Sequence, residues 1–267
     1  MSAYGKIEWS DPQFEQNNLR FLTFQSPALG GRGDVALYAP EGVDLRNLPL
    51  VVLMHGVYCS HWSWAMKGGA HVTAAAMVEA GDIPPMVLAM PSDGLWAEGS
   101  AYLPHESADY EAWIVDDVVG CVTTQVPSLG ENSDVFIGGL SMGGYAALRL
   151  GAKFPDRFKG LSAHSSVTRF EDIERLLTRR PLPFQLAHPD EWDIMYWMRR
   201  NQGNLPPIRF DCGLDDALLE GNRELRDNLA ELGIEYDYAE FPGGHKWPYW
   251  GEHLRDTLAF FGSLSSR

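Results

Sequence analysis

The stretch that decides the fold of this chain is Gly139-Leu140-Ser141-Met142-Gly143-Gly144, a G-x-S-x-G pattern. It follows the short apolar run Val135–Ile137 and precedes Tyr145–Leu150, whose composition favours a helix. In this strand–turn–helix setting the central serine sits on a sharp turn, and its Oγ is lifted clear of the sheet. The pattern alone arises easily by chance in a glycine-rich chain, so the prediction of a nucleophilic Ser141 depends on partners elsewhere.

Short apolar runs alternate with helical stretches on both sides of this motif. The predicted strands are 50–54, 86–90, 134–137, 159–163, 208–212 and 235–241. The predicted helices are 110–122, 142–154, 217–232 and 247–261, and the stretch 62–80 is predicted to be helical in whole or in part. Repeated strand–helix units predict a mostly parallel sheet with helices on both faces. Earlier in the chain, Leu19–Ser26 and Asp34–Ala39 flank the turn Gly30–Gly33, which predicts an antiparallel N-terminal hairpin at one edge.

The length of 267 residues, 45% of them hydrophobic, suits one large α/β domain. We see no linker that would divide the chain, so we predict a single domain over residues 1–267. The stretch 169–204 stands apart because it is rich in proline and aromatic residues. It is either a helix packed on the sheet edge or a cap-like insertion that shapes the pocket for substrate.

The net charge of −15 opposes binding to nucleic acid, because phosphate contacts require clustered Lys and Arg. No stretch of 18 apolar residues occurs, so we predict no membrane span. The N-terminus lacks the apolar core of a signal peptide, which favours a cytoplasmic protein. Three cysteines are an odd number and are interpreted as reduced thiols rather than a disulfide framework.

A serine nucleophile needs a base, and the base needs an acid that orients it. On a sheet of this kind the acid and then the histidine follow the serine along the chain. His245 lies in the flexible turn Pro242–His245 after a predicted strand, whereas His253 lies on the side of the last predicted helix. We therefore predict that His245 is the base.

The acid is expected in the loop after strand 208–212, where two carboxylates stand next to each other. Asp216 immediately precedes the predicted helix at Ala217 and is favoured by the turn through Gly213. Asp215 remains the alternative, although it could simply cap that helix.

Two backbone N–H groups are needed to stabilise the oxyanion that forms during attack. One is predicted at Met142, directly after the serine and at a helix N-terminus. The other is predicted at Val57, in the glycine turn His55-Gly56-Val57 after strand 50–54. His55 itself is interpreted as a residue that orders this loop.

Four motifs in this order resemble the α/β-hydrolase "putative esterase" family. They are His55-Gly56, Gly139–Gly144, Cys212–Asp216, and Phe241–His245 with Trp247 and Trp250 following. That family includes tributyrin esterases, S-formylglutathione hydrolases, feruloyl esterases and mycolyltransferases. The resemblance runs from about Arg20 to the C-terminus and implies an α/β-hydrolase fold, a Ser141–Asp216–His245 triad and oxyanion donors at Val57 and Met142.

The resemblance also suggests where a substrate pocket lies. The segment Met90–Trp96 resembles a loop beside the site in tributyrin-esterase-like members, and Gly56–Cys59 is similar in spacing to a segment of formylglutathione hydrolases. Cys59 is either a thiol near the acyl pocket or a small buried apolar residue. The predicted pocket positions are Tyr58, Cys59, Trp96, Trp197 and Trp247.

These features predict a serine carboxylesterase for small-molecule esters of short acyl chains. No histidine spacing suits a metal, and no glycine fingerprint for a dinucleotide follows a strand, so we predict neither metal nor cofactor. An acyltransferase or an S-formylglutathione-type thioesterase would use the same triad, and a non-catalytic binding module would carry a degenerate one. Related proteins are often dimers or larger, so the resemblance allows a homo-oligomer.

Overall fold

A computed structural model describes residues 4–41, 46–177 and 184–265. Nine strands within these residues form one sheet. They are β1 (Ile7–Trp9), β2 (Leu19–Ser26), β3 (Gly31–Tyr38), β4 (Leu50–Met54), β5 (Val87–Pro91), β6 (Val135–Leu140), β7 (Leu161–His164), β8 (Ile208–Gly213) and β9 (Asp237–Phe241). Their order across the sheet is β1-β2-β3-β5-β4-β6-β7-β8-β9.

The helices connect these strands. They are α1 (Ser63–Met66), α2 (Ala70–Ala80), α3 (Tyr110–Ala112), α4 (Val119–Gln125), α5 (Met142–Lys153), α6 (Phe170–Leu176), α7 (Ile194–Arg200), α8 (Leu219–Glu231) and α9 (Trp247–Leu264). A π-helical segment, Trp113–Val118, joins α3 to α4. Short 3-10 turns lie at Pro12–Phe14, Pro155–Arg157 and Gln202–Asn204.

The mostly parallel sheet and the antiparallel edge predicted from the sequence are confirmed. The pairs from β5 through β4 and β6 to β9 are all parallel, whereas β1, β2, β3 and β5 pair antiparallel. Val52 of β4 lies opposite both Ala89 and Ile137. Because the parallel strands run in one direction, their carboxyl ends meet along one edge, where ligands bind in sheets of this kind.

The hairpin turn is one detail in which the prediction is wrong. The turn covers residues 27–30, and Gly31 already pairs with Ser26 at the start of β3. Gly33 is therefore a strand residue, and its lack of a side chain serves packing. A Cβ there would lie 2.3 Å from the Trp113 ring, closer than atoms can approach.

The stretch 62–80, predicted to be helical in whole or in part, contains two helices, α1 and α2. Gly69 separates them, since its φ of 64° is a left-handed conformation that cannot continue a helix. The strand β1 was not predicted, because three residues carry too little alternation to be recognised.

The sheet divides the core into two layers. Alternate residues of the fully buried strand β4 point to opposite faces, so Leu50, Val52 and Met54 join one cluster and Val51 and Leu53 join the other. The first cluster includes α5, and the second includes α2 and α9. A strand buried on both faces explains why its sequence is a continuous apolar run rather than an alternating one.

The described part of the stretch 169–204 packs on α5. The Tyr145 hydroxyl donates a hydrogen bond of 2.6 Å to the carbonyl of Trp192, and Arg149 Nε donates one of 2.6 Å to the carbonyl of Glu191. Residues 178–183 lie outside the described residues. That this stretch acts as a cap stays a prediction.

A buried polar network joins β7, β8 and α9. The Asp211 carboxylate lies 2.8 Å from His164 Nδ1 and 2.6 Å from Arg209 Nη1, and it accepts a hydrogen bond of 2.7 Å from the Tyr249 hydroxyl. Burial by itself raises the pKa of Asp211, but the interactions with His164, Arg209 and Tyr249 outweigh it and lower the pKa to about 2. The carboxylate is therefore charged at all physiological pH values.

Asp211→Asn should lower the free energy of unfolding by about 3–5 kcal/mol, because it removes the buried countercharge of the Arg209 guanidinium and leaves it only the half-exposed Asp256 carboxylate. Asp256→Asn is the matched control, since the Asp256 side chain is 46% exposed and 3.5 Å from Arg209 Nη2. We expect that control to lose no more than about 1 kcal/mol. Urea denaturation at pH 7 measures both, and equal losses would contradict the account.

The pH dependence of the stability lost in Asp211→Asn follows from the direction in which the pKa of Asp211 is shifted. The pKa of Asp211 in the folded protein, about 2, lies below its ordinary value of 3.8. The ionised carboxylate therefore contributes its full stabilisation above pH 3.8. The contribution is lost as the pH falls toward 2. The stability difference between wild type and Asp211→Asn should therefore shrink on acidification.

Candidate active site

Ser141 occupies the turn between β6 and α5 with φ 53° and ψ −119°, a left-handed conformation that is rare for a residue with a side chain. Two glycines make this turn possible. A Cβ at Gly143 would lie 2.3 Å from the carbonyl oxygen of Met54, and one at Gly139 would lie 2.4 Å from that of Gly143. The spacing of the G-x-S-x-G pattern thus follows from the close approach of β4, β6 and α5.

The structure brings Ser141, His245 and Asp216 into one hydrogen-bonded row. His245 Nε2 lies 3.0 Å from Ser141 Oγ, and His245 Nδ1 lies 2.9 Å from Asp216 Oδ2 and 3.2 Å from Oδ1. The serine follows β6, the aspartate follows β8 and the histidine follows β9. This geometry allows proton transfer from the hydroxyl to an imidazole that the carboxylate orients.

Asp216 and Asp215, the two alternatives for the acid, lie in different environments. Asp216 is buried, and its Oδ1 also accepts a hydrogen bond of 2.9 Å from the backbone N–H of Leu218. Although burial raises the pKa of Asp216, the hydrogen bond and charge interaction with His245 and the Leu218 N–H lower it below the ordinary value. Asp215 is exposed, and its backbone N–H donates to the carbonyl of Gly243.

The other two histidines considered from the sequence are structural. His253 lies on α9, stacked on the Phe241 ring at 4.1 Å, and its Nδ1 is 3.0 Å from Asp256 Oδ2. His55 is buried, and its Nδ1 lies 2.8 Å from the carbonyl oxygen of Gly56 while its Nε2 accepts the N–H of Asp93. Burial lowers the pKa of His55, which favours the neutral ring that this pair of contacts requires.

Val57 and Met142, the predicted oxyanion donors, flank Ser141. A Cβ on Gly56 would lie 3.1 Å from Ser141 Cβ, so the loop after β4 runs directly against the nucleophile turn. Both side chains contact Gly99, where an added Cβ would lie 2.6 Å from Met142 Sδ and 3.3 Å from Val57 Cγ1. No acceptor in the described part of the chain receives the backbone N–H of either residue.

A cavity of about 550 Å³ opens in front of the Ser141 hydroxyl. Three of the predicted pocket residues, Tyr58, Cys59 and Trp247, line it. Ser141, His245 and Val57 also line it, and the sequence did not single out Lys67, Leu140, Lys246 or Pro248. The described lining residues are Gly56, Val57, Tyr58, Cys59, Lys67, Leu140, Ser141, His245, Lys246, Trp247, Pro248 and Trp250.

Trp96 and Trp197, the other two predicted pocket positions, are not among the described residues that line this cavity. The Trp96 ring packs at 4.8 Å against the His105 ring. Trp197 lies on α7, where its indole N–H donates to the carbonyl of Glu191 and its ring is 5.0 Å from Lys153 Nζ. The sequence could not separate these tryptophans from Trp247, because aromatic character is the same in a packing position and in a pocket.

A family model and a curated relative both match most of this chain. The family model described as "Putative esterase" matches residues 26–261. An acetyl esterase of Caldicellulosiruptor saccharolyticus is 26% identical over 247 residues, which cover 84% of this chain and 87% of that relative.

Solved structures show the same fold. A ferulic acid esterase superposes with a TM-score of 0.79 at 22% identity, covering 98% of this chain and all of the other. The S-formylglutathione hydrolase of Staphylococcus aureus superposes with a TM-score of 0.75 at 18% identity, covering 96% of this chain and 99% of that one.

The chain therefore belongs to the "Putative esterase" family and has the α/β-hydrolase fold expected from its motifs. It is a serine ester hydrolase, so its substrates are small-molecule esters, and the non-catalytic alternative is not retained. Of the helices in residues 4–41, 46–177 and 184–265, none combines the length and apolar character needed to span a bilayer. Within the same residues, no group of three or more His, Cys, Asp or Glu is arranged to hold a metal ion.

The contrast between the two aspartates gives a direct test. Asp216→Asn should lower kcat for p-nitrophenyl acetate by about 10⁴-fold, because an amide favours the wrong tautomer of His245. Asp215→Asn is the matched control and should keep kcat within about twofold, since that side chain is exposed. Reversed effects would assign the acid to Asp215.

Proposed function

We propose that this enzyme is a carboxylesterase that hydrolyses short-chain acyl esters through an acyl-enzyme on Ser141. The single observation that carries the proposal is the row of contacts from Ser141 Oγ to His245 Nε2 at 3.0 Å and from His245 Nδ1 to Asp216 at 2.9 Å. A hydroxyl on a strained turn, a base within hydrogen-bond reach and a buried carboxylate are the elements of nucleophilic acyl transfer.

In the first half of the reaction, His245 Nε2 takes the Ser141 proton as Oγ attacks the carbonyl carbon of the ester. The oxyanion that forms is stabilised by the N–H groups of Val57 and Met142. When the tetrahedral intermediate collapses, the C–O bond to the alcohol breaks, and His245 gives its proton to the leaving oxygen. The product of this half is an acyl ester of Ser141.

In the second half, water replaces the alcohol. His245 takes a proton from the water as its oxygen attacks the acyl carbon, and then returns it to Ser141 Oγ as the carboxylic acid leaves. The lowered pKa of Asp216 keeps that group ionised at neutral pH, so it stabilises the imidazolium formed in each half.

The preference for short acyl chains is supported by the walls of the cavity. Trp247 and Trp250 stand at right angles to each other with ring centres 5.4 Å apart, and Trp250 is almost fully buried. The Trp250 ring, whose centre is 4.8 Å from that of His245, limits the depth available beside Ser141. The relative from Caldicellulosiruptor saccharolyticus, named an acetyl esterase, is consistent with a small acyl group.

Two further expectations from the sequence stay predictions. We propose a cytoplasmic location, which is supported by the reduced thiols Cys59, Cys121 and Cys212. Assembly into a homo-oligomer also stays a prediction, and sedimentation of the purified chain would test it.

Ser141→Ala should lower kcat for p-nitrophenyl acetate by about 10⁴-fold or more, since no other hydroxyl can replace the nucleophile. The variant should also fail to react with a fluorophosphonate probe. Ser263→Ala, an exposed serine on α9, serves as the control and should keep full activity. Retention of most activity by Ser141→Ala would reject the proposal.

A substrate panel tests the acyl preference and the reaction type together. We expect kcat/KM to fall roughly tenfold or more from p-nitrophenyl acetate or butyrate to the octanoate, because the tryptophan wall leaves little depth beside Ser141 for a longer acyl chain. Higher kcat/KM for the octanoate would contradict the short-chain proposal. Acetylated sugars, methyl ferulate and S-formylglutathione, with product analysis in the presence of an added alcohol, separate ester hydrolysis from thioester hydrolysis and acyl transfer.

A further inference from the structure

Trp250 makes one contact with His245 and another with Ser165. Its ring lines the cavity and stands perpendicular to the His245 ring, with ring centres 4.8 Å apart and an interplanar angle of 89°. On the other side its indole N–H donates a hydrogen bond of 3.2 Å to the Ser165 hydroxyl. The side chain is buried, so this hydrogen bond fixes the ring with little competition from water.

His245 needs such a support because its own backbone gives it little. It follows Gly243, which has φ 130°, and Gly244, and its side chain is 37% exposed. Its hydrogen bond to Ser141 exists only while the hydroxyl is free. Once Oγ is acylated, His245 keeps only its hydrogen bond to Asp216. That single bond leaves the imidazole ring free to rotate about Nδ1.

Ser165 is held in an unusual conformation directly after β7. It is fully buried with φ 45°, and its backbone N–H donates 2.8 Å to the carbonyl of Asp211. Such a conformation costs on the order of 1–3 kcal/mol and persists only where the surroundings impose it. The hydroxyl of Ser165 also helps to lower the pKa of Asp216.

The same segment supports the nucleophile. The backbone N–H of Ser141 donates to the carbonyl of His164 at 2.9 Å, and the Val167 N–H donates to the carbonyl of Ser141 at 3.2 Å. Residues 164–167 therefore contact the serine directly and reach the histidine through Trp250.

We propose that Ser165 and Trp250 form a positioning pair, in which the serine hydroxyl fixes the indole and the indole holds the His245 ring in place while Ser141 is acylated. The inference rests on the proposed triad, and it assigns to these two residues a larger effect on deacylation than on acylation. Neither residue touches the reacting bond.

The test is stopped-flow hydrolysis of p-nitrophenyl acetate by Trp250→Phe and Ser165→Ala. We expect deacylation to fall by about 10- to 100-fold, because small displacements of a catalytic group have costs of this size. Acylation should fall less, so the variants accumulate acyl-enzyme and show a burst of nearly one p-nitrophenol per enzyme. KM should fall along with kcat as the acyl-enzyme accumulates.

Two comparisons separate positioning from general destabilisation. Trp113→Phe removes an equally buried indole hydrogen bond, 2.8 Å to the carbonyl of Ser92, and should leave the ratio of the two steps unchanged. The double variant Trp250→Phe/Ser165→Ala should be no slower than the slower single variant, because the two side chains act as a unit.

The outcomes are distinct. A ratio of acylation to deacylation in Trp250→Phe equal to that in Trp113→Phe, or multiplicative losses in the double variant, would overturn the positioning pair. If Trp250→Phe does not fold, Trp250→Tyr, which also removes the indole N–H, decides by the same ratio. Failure of the proposed function appears separately, as activity that survives in Ser141→Ala.

Discussion

The left-handed turn at Ser141 is the constraint on which the rest of the site depends. A serine with φ 53° is strained, and it persists because several contacts impose it at once. The carbonyl of His164 and the N–H of Val167 bond its backbone, and Gly143 allows α5 to press against the end of β4. Because Oγ is fixed in this way, the geometry of the row then depends on the loops after β8 and β9, which carry Asp216 and His245.

Two carboxylates near the end of β8 show how the surroundings of an aspartate decide whether it stabilises the fold or orients a histidine. The Asp211 carboxylate interacts with His164, Arg209 and Tyr249. Its charge is therefore balanced inside the protein, and the carboxylate links α9 to the sheet. Asp216, five positions later, has His245 as its only basic partner among the described residues. A carboxylate paired with one titratable histidine can stabilise the imidazolium that forms on that ring, whereas a carboxylate shared among several partners serves to hold those partners together.

Much of the candidate site could be proposed from the sequence because its residues lie in loops whose order is set by the fold. Ser141 and His245 were each marked by flanking glycines after an apolar run, and the parallel sheet brings such loops to one edge. The sequence does not separate Asp216 from Asp215, since adjacent residues in a loop differ only in the direction of their side chains. Burial of one and exposure of the other separates them.

The sequence by itself determined the alternation of strands and helices, the sharp serine turn and the order of the three residues of the proposed triad, because these follow from local periodicity and glycine spacing. It could not separate Trp247, in the cavity wall, from Trp96 and Trp197, in packing positions. Nor did it indicate that Trp250, on the apolar face of α9, also contacts His245. Only the tertiary structure decided these roles, because an aromatic side chain packs or lines a pocket according to which distant residues surround it.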